Sequence, residues 1–248
     1  MNIAFYTGVS GMAAFQQQMD ITAHNIANST TTGYKVSRAS FSDLMYTQMD
    51  VKTPGEKTTG HGVKNANTDL LMSQGSLSAT GRALDYAIVG DGFFALEDYN
   101  GEVKYSRNGA FDVSPQGSKN YLVSSLDGSY VLDGKGKRMT VSTMPEGGYD
   151  LTALQERLGI YTVANPYGLG RKDGSSFTVT DLSGPAKSVL NNKNAPAYEL
   201  RGATLERSAV DLGSEMLNVI QAQRAYQMNS KIVQTADQME ELVNNLRT

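Results

Sequence analysis

The sequence contains no cysteine and no tryptophan, and only two histidines, His24 and His61, in 248 residues. Without cysteine there are no disulfides, no thiol nucleophile and no thiolate metal ligand. Two histidines are too few for a histidine-rich metal centre. Charge is sparse, at 19%, and nearly balanced: 22 Lys+Arg against 25 Asp+Glu, a net −3. A nucleic-acid binder carries a basic excess or stripe, so none is expected as a partner. No apolar run approaches the length that crosses a bilayer, and no membrane insertion is expected. What remains is globular composition, 40% hydrophobic, in a length that suits one or two domains with a sizeable core. The expectation is a soluble protein with little equipment for catalysis.

Proline and glycine are unevenly spread. All six prolines lie between Pro54 and Pro196, and outside 51–204 the glycines are Gly8, Gly11, Gly33 and Gly213. These residues punctuate turns and break helices, so the distribution predicts helical ends around a turn-rich β centre. At the N-terminus Phe5, Gly8, Met12, Phe15, Met19, Thr22 and Ile26 alternate at spacings of three and four, the a/d seam of a heptad helix. Ala225, Met228, Ile232, Thr235, Met239, Leu242 and Leu246 repeat the pattern at the C-terminus, with Leu212, Met216, Val219 and Ile220 upstream on a rotated face. Two long helices follow, roughly 3–28 and 212–246, the second starting near Ser214 and Glu215.

Such seams ordinarily form a two-helix core within one molecule. Two features point beyond that. Before Lys35 the only charged side chain is Asp20, whereas a helix with a watered face usually carries charge there. The polar positions are Gln16, Gln17, Gln18, Thr22, Asn25 and Asn28, which can bond to neighbours without the desolvation cost of ions. An isolated pair also buries too few apolar side chains to offset the ordering of both helices. The ends are expected to order when packed against further copies or partners. Methionine concentrates in the same ends (Met1, Met12, Met19, Met45, Met49, Met216, Met228, Met239), and its flexible side chain adapts to several packing surroundings.

The centre reads as short strands. Residues 84–89 and 93–96 flank Gly90-Asp91-Gly92; 103–105 and 110–113 flank Asn108-Gly109, a hairpin signal; 121–123 and 130–132 flank Asp127-Gly128. Residues 150–158 suggest a short helix, 177–180 a strand, and the polar stretch 50–70 a loop, linker or flap. The expected fold class is α+β: long terminal helices forming a discontinuous coiled-coil-like domain (1–34 plus 205–248), an extended linker (35–70) and an inserted mostly-β domain (71–204).

Catalytic motifs are scarce. Gly8-Val-Ser10-Gly-Met12 lacks the closing glycine of a nucleophile elbow. The run from Gly128 to Gly134-Lys135 is one residue too long for a P-loop, with Gly136 where Ser or Thr must hold magnesium. Asp85 and Asp91 are near in sequence but flank a glycine turn, where Asp is expected for conformational reasons. No catalytic residue, cofactor or metal is assigned.

The stretch Asp20-Ile-Thr-Ala-His-Asn25-Ile-Ala-Asn28-Ser-Thr-Thr-Thr-Gly33-Tyr34-Lys35 resembles the signature of the flagellar rod and hook protein family: a helix ending in Asn-x-x-Asn, a Thr/Gly turn and an aromatic-Lys pair. Asparagine and Ser/Thr side chains can bond backbone groups where a helix ends, and Gly33 supplies a permissive turn. Further similarity lies in Gln74-Gly-Ser-Leu77 with Leu84-Asp-Tyr-Ala-Ile-Val-Gly-Asp-Gly-Phe-Phe94, in Tyr105-Ser-Arg107-Asn-Gly-Ala-Phe111-Asp-Val113, and in Leu205-Glu-Arg-Ser208-Ala-Val210 leading to Gln221-Ala-Gln-Arg224-Ala-Tyr226-Gln-Met-Asn229-Ser and Asp237-Gln-Met239. In length and in its single inserted domain the chain looks most like a distal-rod subunit. Residues 114–200 resemble the family little.

The resemblance implies a non-enzymatic subunit of a hollow helical axle that carries motor torque through the cell envelope to hook and filament. It also implies partners: further copies, other rod subunits and hook protein, the flagellar export apparatus, and envelope ring proteins. Export without a cleaved signal peptide is expected, since Met1-Asn-Ile-Ala-Phe-Tyr-Thr-Gly has neither a basic nor an apolar leader segment. The residues expected to carry self-assembly are Phe5, Met12, Phe15, Met19, Asn25, Ile26, Asn28, Gly33 and Tyr34, and Met216, Ile220, Arg224, Tyr226, Met228, Asn229, Ile232, Met239, Leu242 and Leu246. The competing readings are a hook or hook-adaptor subunit, a rod-associated peptidoglycan hydrolase, which would need a carboxylate pair in a cleft, and a generic coiled-coil adhesin.

Overall fold

Helix-forming ends and a strand-forming middle are what the chain builds. In the computed structural model, which describes residues 3–48, 58–117, 119–142, 149, 154–189 and 198–246, the first helix, α1, spans Ile3–Ala27 and the last, α3, spans Leu212–Leu246. Helix α3 has the expected bounds 212–246, and Asp211 caps it, ahead of Ser214, accepting from the Gly213 amide at 3.1 Å and from the Ser214 hydroxyl at 2.7 Å. The Ser214 hydroxyl holds this carboxyl below its ordinary value, helped by the Gly213 amide, and the anion sits at the positive end of the helix dipole.

Between the helices run eighteen short strands among the described residues. Contact density groups 1–27, 37–71 and 211–248 as one unit, and 28–36 with 72–210 as a second. In the first, helical unit, β1 (Val36–Asp43) pairs with β4 (Val63–Leu71), and β2 (Tyr46–Gln48) runs antiparallel to β3 (Thr58–Gly60). The loop expected over 50–70 is thus strand from Thr58 on. Its alternating polar residues hid the pattern, because most face solvent; 49–57 lie outside the described residues.

The second, β unit is built on a ten-stranded sheet. Its central strands are β7 (Phe93–Glu97) and β8 (Val103–Ser106), antiparallel with Ala95 opposite Tyr105. Two further ribbons pair β5 (Leu77–Ala79) with β18 (Thr204–Glu206), and β6 (Tyr86–Gly90) with β17 (Tyr198–Gly202). The core gathers Ile88, Phe94, Phe111, Leu122, Val131, Met139 and Ile160; Phe94 and Phe111 meet edge-on, ring centres 5.2 Å apart, a favoured aromatic geometry.

The Asp127-Gly128 turn joins β10 (Lys119–Ser124) to β11 (Tyr130–Val131), with Val123 opposite Tyr130 and Gly128 at φ +69°. The Asn108-Gly109 hairpin does not form: β8 pairs with β7 and with β15 (Ser176–Thr178), while β9 (Phe111–Gln116) pairs with β10. Gly109 is needed for close approach instead, since a Cβ there would stand 1.8 Å from the Tyr86 carbonyl oxygen. Of the helix expected over 150–158, the turn α2 at Leu154–Arg157 is seen; 150–153 lie outside the described residues.

Candidate assembly surfaces

Helices α1 and α3 approach through small residues. Gly8, Gly11 and Ala14 are buried on α1, Ala222 and Ala236 on α3. A Cβ at Gly8 would lie 2.8 Å from Val233 Cγ2, and one at Gly11 2.8 Å from Asn229 Oδ1. Asn229 is held ready by its own amide, which donates to the Ala225 carbonyl at 2.9 Å. Only Gly8 and Thr22 of the expected α1 seam lie on the buried face of the helix. Phe5, Met12, Phe15, Met19 and Ile26 are half-buried, and Phe15 leans on Phe41 of β1 at 6.1 Å. The face turns because glycine lets two backbones approach, which Met12 or Phe15 at the contact would prevent.

The α3 seam is largely turned outward. Met228 is 62% exposed, Ile232 47%, Met239 56%, Leu242 63% and Leu246 87%; Met216, Ile220 and Arg224 are exposed as well, Tyr226 and Asn229 half-buried. Of the residues the sequence named, Asn229 and Ile232 reach the α1 glycines; Gly11 and Val233, which share that contact, and the buried Ala14, Ala222 and Ala236 were not named. The small residues were legible; which face they would claim was not.

After α1 the chain turns at the motif read from the sequence. Asn25, buried, treats the backbone of Ser37 as a strand would: its amide donates to the Ser37 carbonyl at 2.8 Å and its carbonyl accepts the Ser37 amide at 3.0 Å. The Asn28 side-chain oxygen accepts from Thr31 Oγ1 at 3.1 Å, and its backbone carbonyl from the Thr31 amide at 3.1 Å. Gly33 takes φ +68°, and a Cβ there would stand 2.7 Å from the Asn108 nitrogen. Tyr34 is fully buried, its ring under the Arg171 guanidinium at 4.6 Å and its hydroxyl accepting from Arg171 at 3.0 Å.

Next to Tyr34 lies a buried charge cluster in the β unit. Lys35 and Glu206 are each 1% exposed and meet at 2.7 Å; Lys35 also donates to the Ser73 carbonyl. Arg107 reaches Glu206 at 3.5 Å and the Gly90 carbonyl at 2.7 Å. Burial lowers the Lys35 ammonium from its ordinary value, opposed by the attraction of Glu206, and it lowers Arg107 in the same way. All three sit in the motif stretches, yet 171 residues separate Lys35 from Glu206, and no local pattern announces such a pairing.

Asp85 and Asp91, near in sequence, have different surroundings: Asp91 lines an open cleft with Arg107, Lys187 and Tyr167, while Asp85 is buried, 3.9 Å from Arg82.

Comparison with known families is consistent with these features. The pattern described as "Flagella basal body rod protein" matches residues 5–35, "Flagellar hook protein FlgE/F/G D1 domain" matches 87–155, and "Flagellar basal body rod FlgEFG protein C-terminal" matches 201–246. The chain is 34% identical to the flagellar basal-body rod protein FlgG of Agrobacterium fabrum, over 97% of this chain and 98% of the relative. It is 32% identical to FlgG of Bacillus subtilis, over 97% and 98%. It is 31% identical to the flagellar hook-basal body complex protein FlhP of the same organism, also over 97% and 98%.

Proposed function

Because this chain belongs to the flagellar basal-body rod protein family, of the distal-rod type, we propose that its terminal helices are the elements through which copies join. The chain is a structural subunit of the basal-body rod in the cell envelope, a role that entails assembly with other rod and hook components. The finer reading is that each added subunit buries the outward residues of α3 against helices of its neighbours. Contacts of this kind join unlike patches and do not close, so they generate a helical tube, and a tube held by many such seams can carry torque.

The observation that carries the reading is the set of large apolar side chains Met228, Met239, Leu242 and Leu246, left exposed on α3 while Val233, Ile232 and Asn229 of that helix meet Gly8 and Gly11 of α1. A pair held by glycine and alanine buries little apolar area, so the helices gain most of their order on assembly. Asn25, Asn28, Gly33 and Tyr34 set where α1 ends and how the chain leaves it. The export apparatus and the envelope rings belong to the same proposal as partners, and so does a non-enzymatic role, supported by relatives that bear rod-protein names.

Ile232→Asp tests it. The variant is expected to keep the β unit folded by circular dichroism and protease protection, yet to be missing from isolated basal bodies and to leave cells non-motile. Normal incorporation would overturn the seam. Digestion of purified cell wall by the wild-type protein would revive the hydrolase reading.

A further inference from the structure

Four donors from three separate stretches of the β unit converge on one residue. The Lys35 ammonium and the Gly75 amide donate to Glu206 Oε1 at 2.7 and 2.9 Å, Arg107 reaches Oε2 at 3.5 Å, and the Gly33 amide donates to the Glu206 carbonyl at 2.9 Å. Glu206 comes last of these in the chain. Its position is set by the ribbon of β18 with β5, extended by the Arg207 amide donating to the Ser76 carbonyl at 2.8 Å.

We infer that Glu206 is a latch: the β unit is held open until residue 206 docks, because closing it earlier would bury Lys35 and Arg107 without their carboxylate. Many folds miss a strand when their end is missing. Here the incomplete state is also penalised, since an unpaired buried ion costs far more than an unfilled neutral gap. Asp91 adds a smaller attraction to both cations, but it is exposed and water weakens it. A chain made from its N-terminus, or passed through a channel in that direction, thus stays open over 28–205 and closes when the last strand arrives. The inference concerns the chain before assembly and does not depend on how the helices pack.

The test uses the full chain and stopped-flow refolding from urea, read by tyrosine fluorescence. For E206Q the refolding rate is expected to fall at least about tenfold while the unfolding rate changes less than about threefold, because a group docked at the barrier acts on the folding limb. K35M/R107M/E206Q removes both stranded cations along with the carboxylate, and is expected to regain most of the lost rate. Refolding of E206Q at the wild-type rate, or a loss confined to unfolding, overturns the latch. A triple variant that refolds as slowly as E206Q does too, since the loss would then come from shape and not charge. Should E206Q fail to fold, a cooperative transition in K35M/R107M/E206Q supports the latch and its absence overturns it.

Discussion

The β unit and the helical unit bury different things. In the first, Phe94, Phe111, Phe177, Ile88, Leu122 and Met139 are all fully buried, and strands from distant parts of the chain close over them. In the second, the buried positions of the two helices are glycine, alanine and a few polar groups such as Thr22, Asn25 and Glu215, while most large side chains of α3 are exposed. A unit of the first kind carries its own hydrophobic stabilisation. A unit of the second kind leaves large apolar side chains such as Met239 and Leu242 exposed, which is the feature the proposed assembly role rests on. The two units also differ in how far their large apolar residues point at their own chain.

Truncation should expose that contrast most sharply. Phe94→Ala removes a fully buried ring and is expected to cost the β unit about 4 kcal/mol, measured by urea denaturation. The comparable cut Met239→Ala should cost less than about 0.5 kcal/mol in the isolated chain. Similar losses at both positions would erase the distinction. Within the helical unit, Asn25→Ala strands the Ser37 amide and carbonyl and should cost about 2 kcal/mol. That predicts roughly thirtyfold faster amide exchange at Ser37, with exchange in the β7–β8 ladder unchanged.

Acid should bear on the β unit. Burial works to raise the Asp127 carboxyl, but hydrogen bonds from Lys104, Ser129 and Ser124 outweigh it and leave it below 3.8. Asp112 is also lowered, first by Ser125 and then by Arg82. A carboxyl depressed in the folded state takes up its proton more readily when unfolded, so its contribution is present above 3.8 and is lost as the pH falls through the folded value. Thermal melts should therefore hold steady from pH 7 to about 5 and drop below about 4, and Asp127→Asn should flatten the drop. A flat wild-type profile would remove these carboxylates from the balance.

Much of this was readable in the residues. The 3,4 spacing and the absence of proline located both helices, because helix periodicity is a local property. The Asp127-Gly128 turn was equally legible, since its positive φ needs a glycine nearby. Asn108-Gly109 misled because the same dipeptide serves close packing as well as turns, and only the Tyr86 carbonyl beside Gly109 distinguishes the two. The strand at 63–71 was hidden by its polar, solvent-facing side chains.

By itself, then, the sequence determined where the helices lie, where the chain must turn after Asn25, and which family it belongs to, since each of those rests on neighbours a few residues apart. Tertiary structure alone decided which face of α1 meets α3, because backbone approach at Gly8 and Gly11 outweighs the heptad pattern. It also decided that Lys35 and Arg107 share Glu206, because a buried charge takes its partner from wherever the fold brings one.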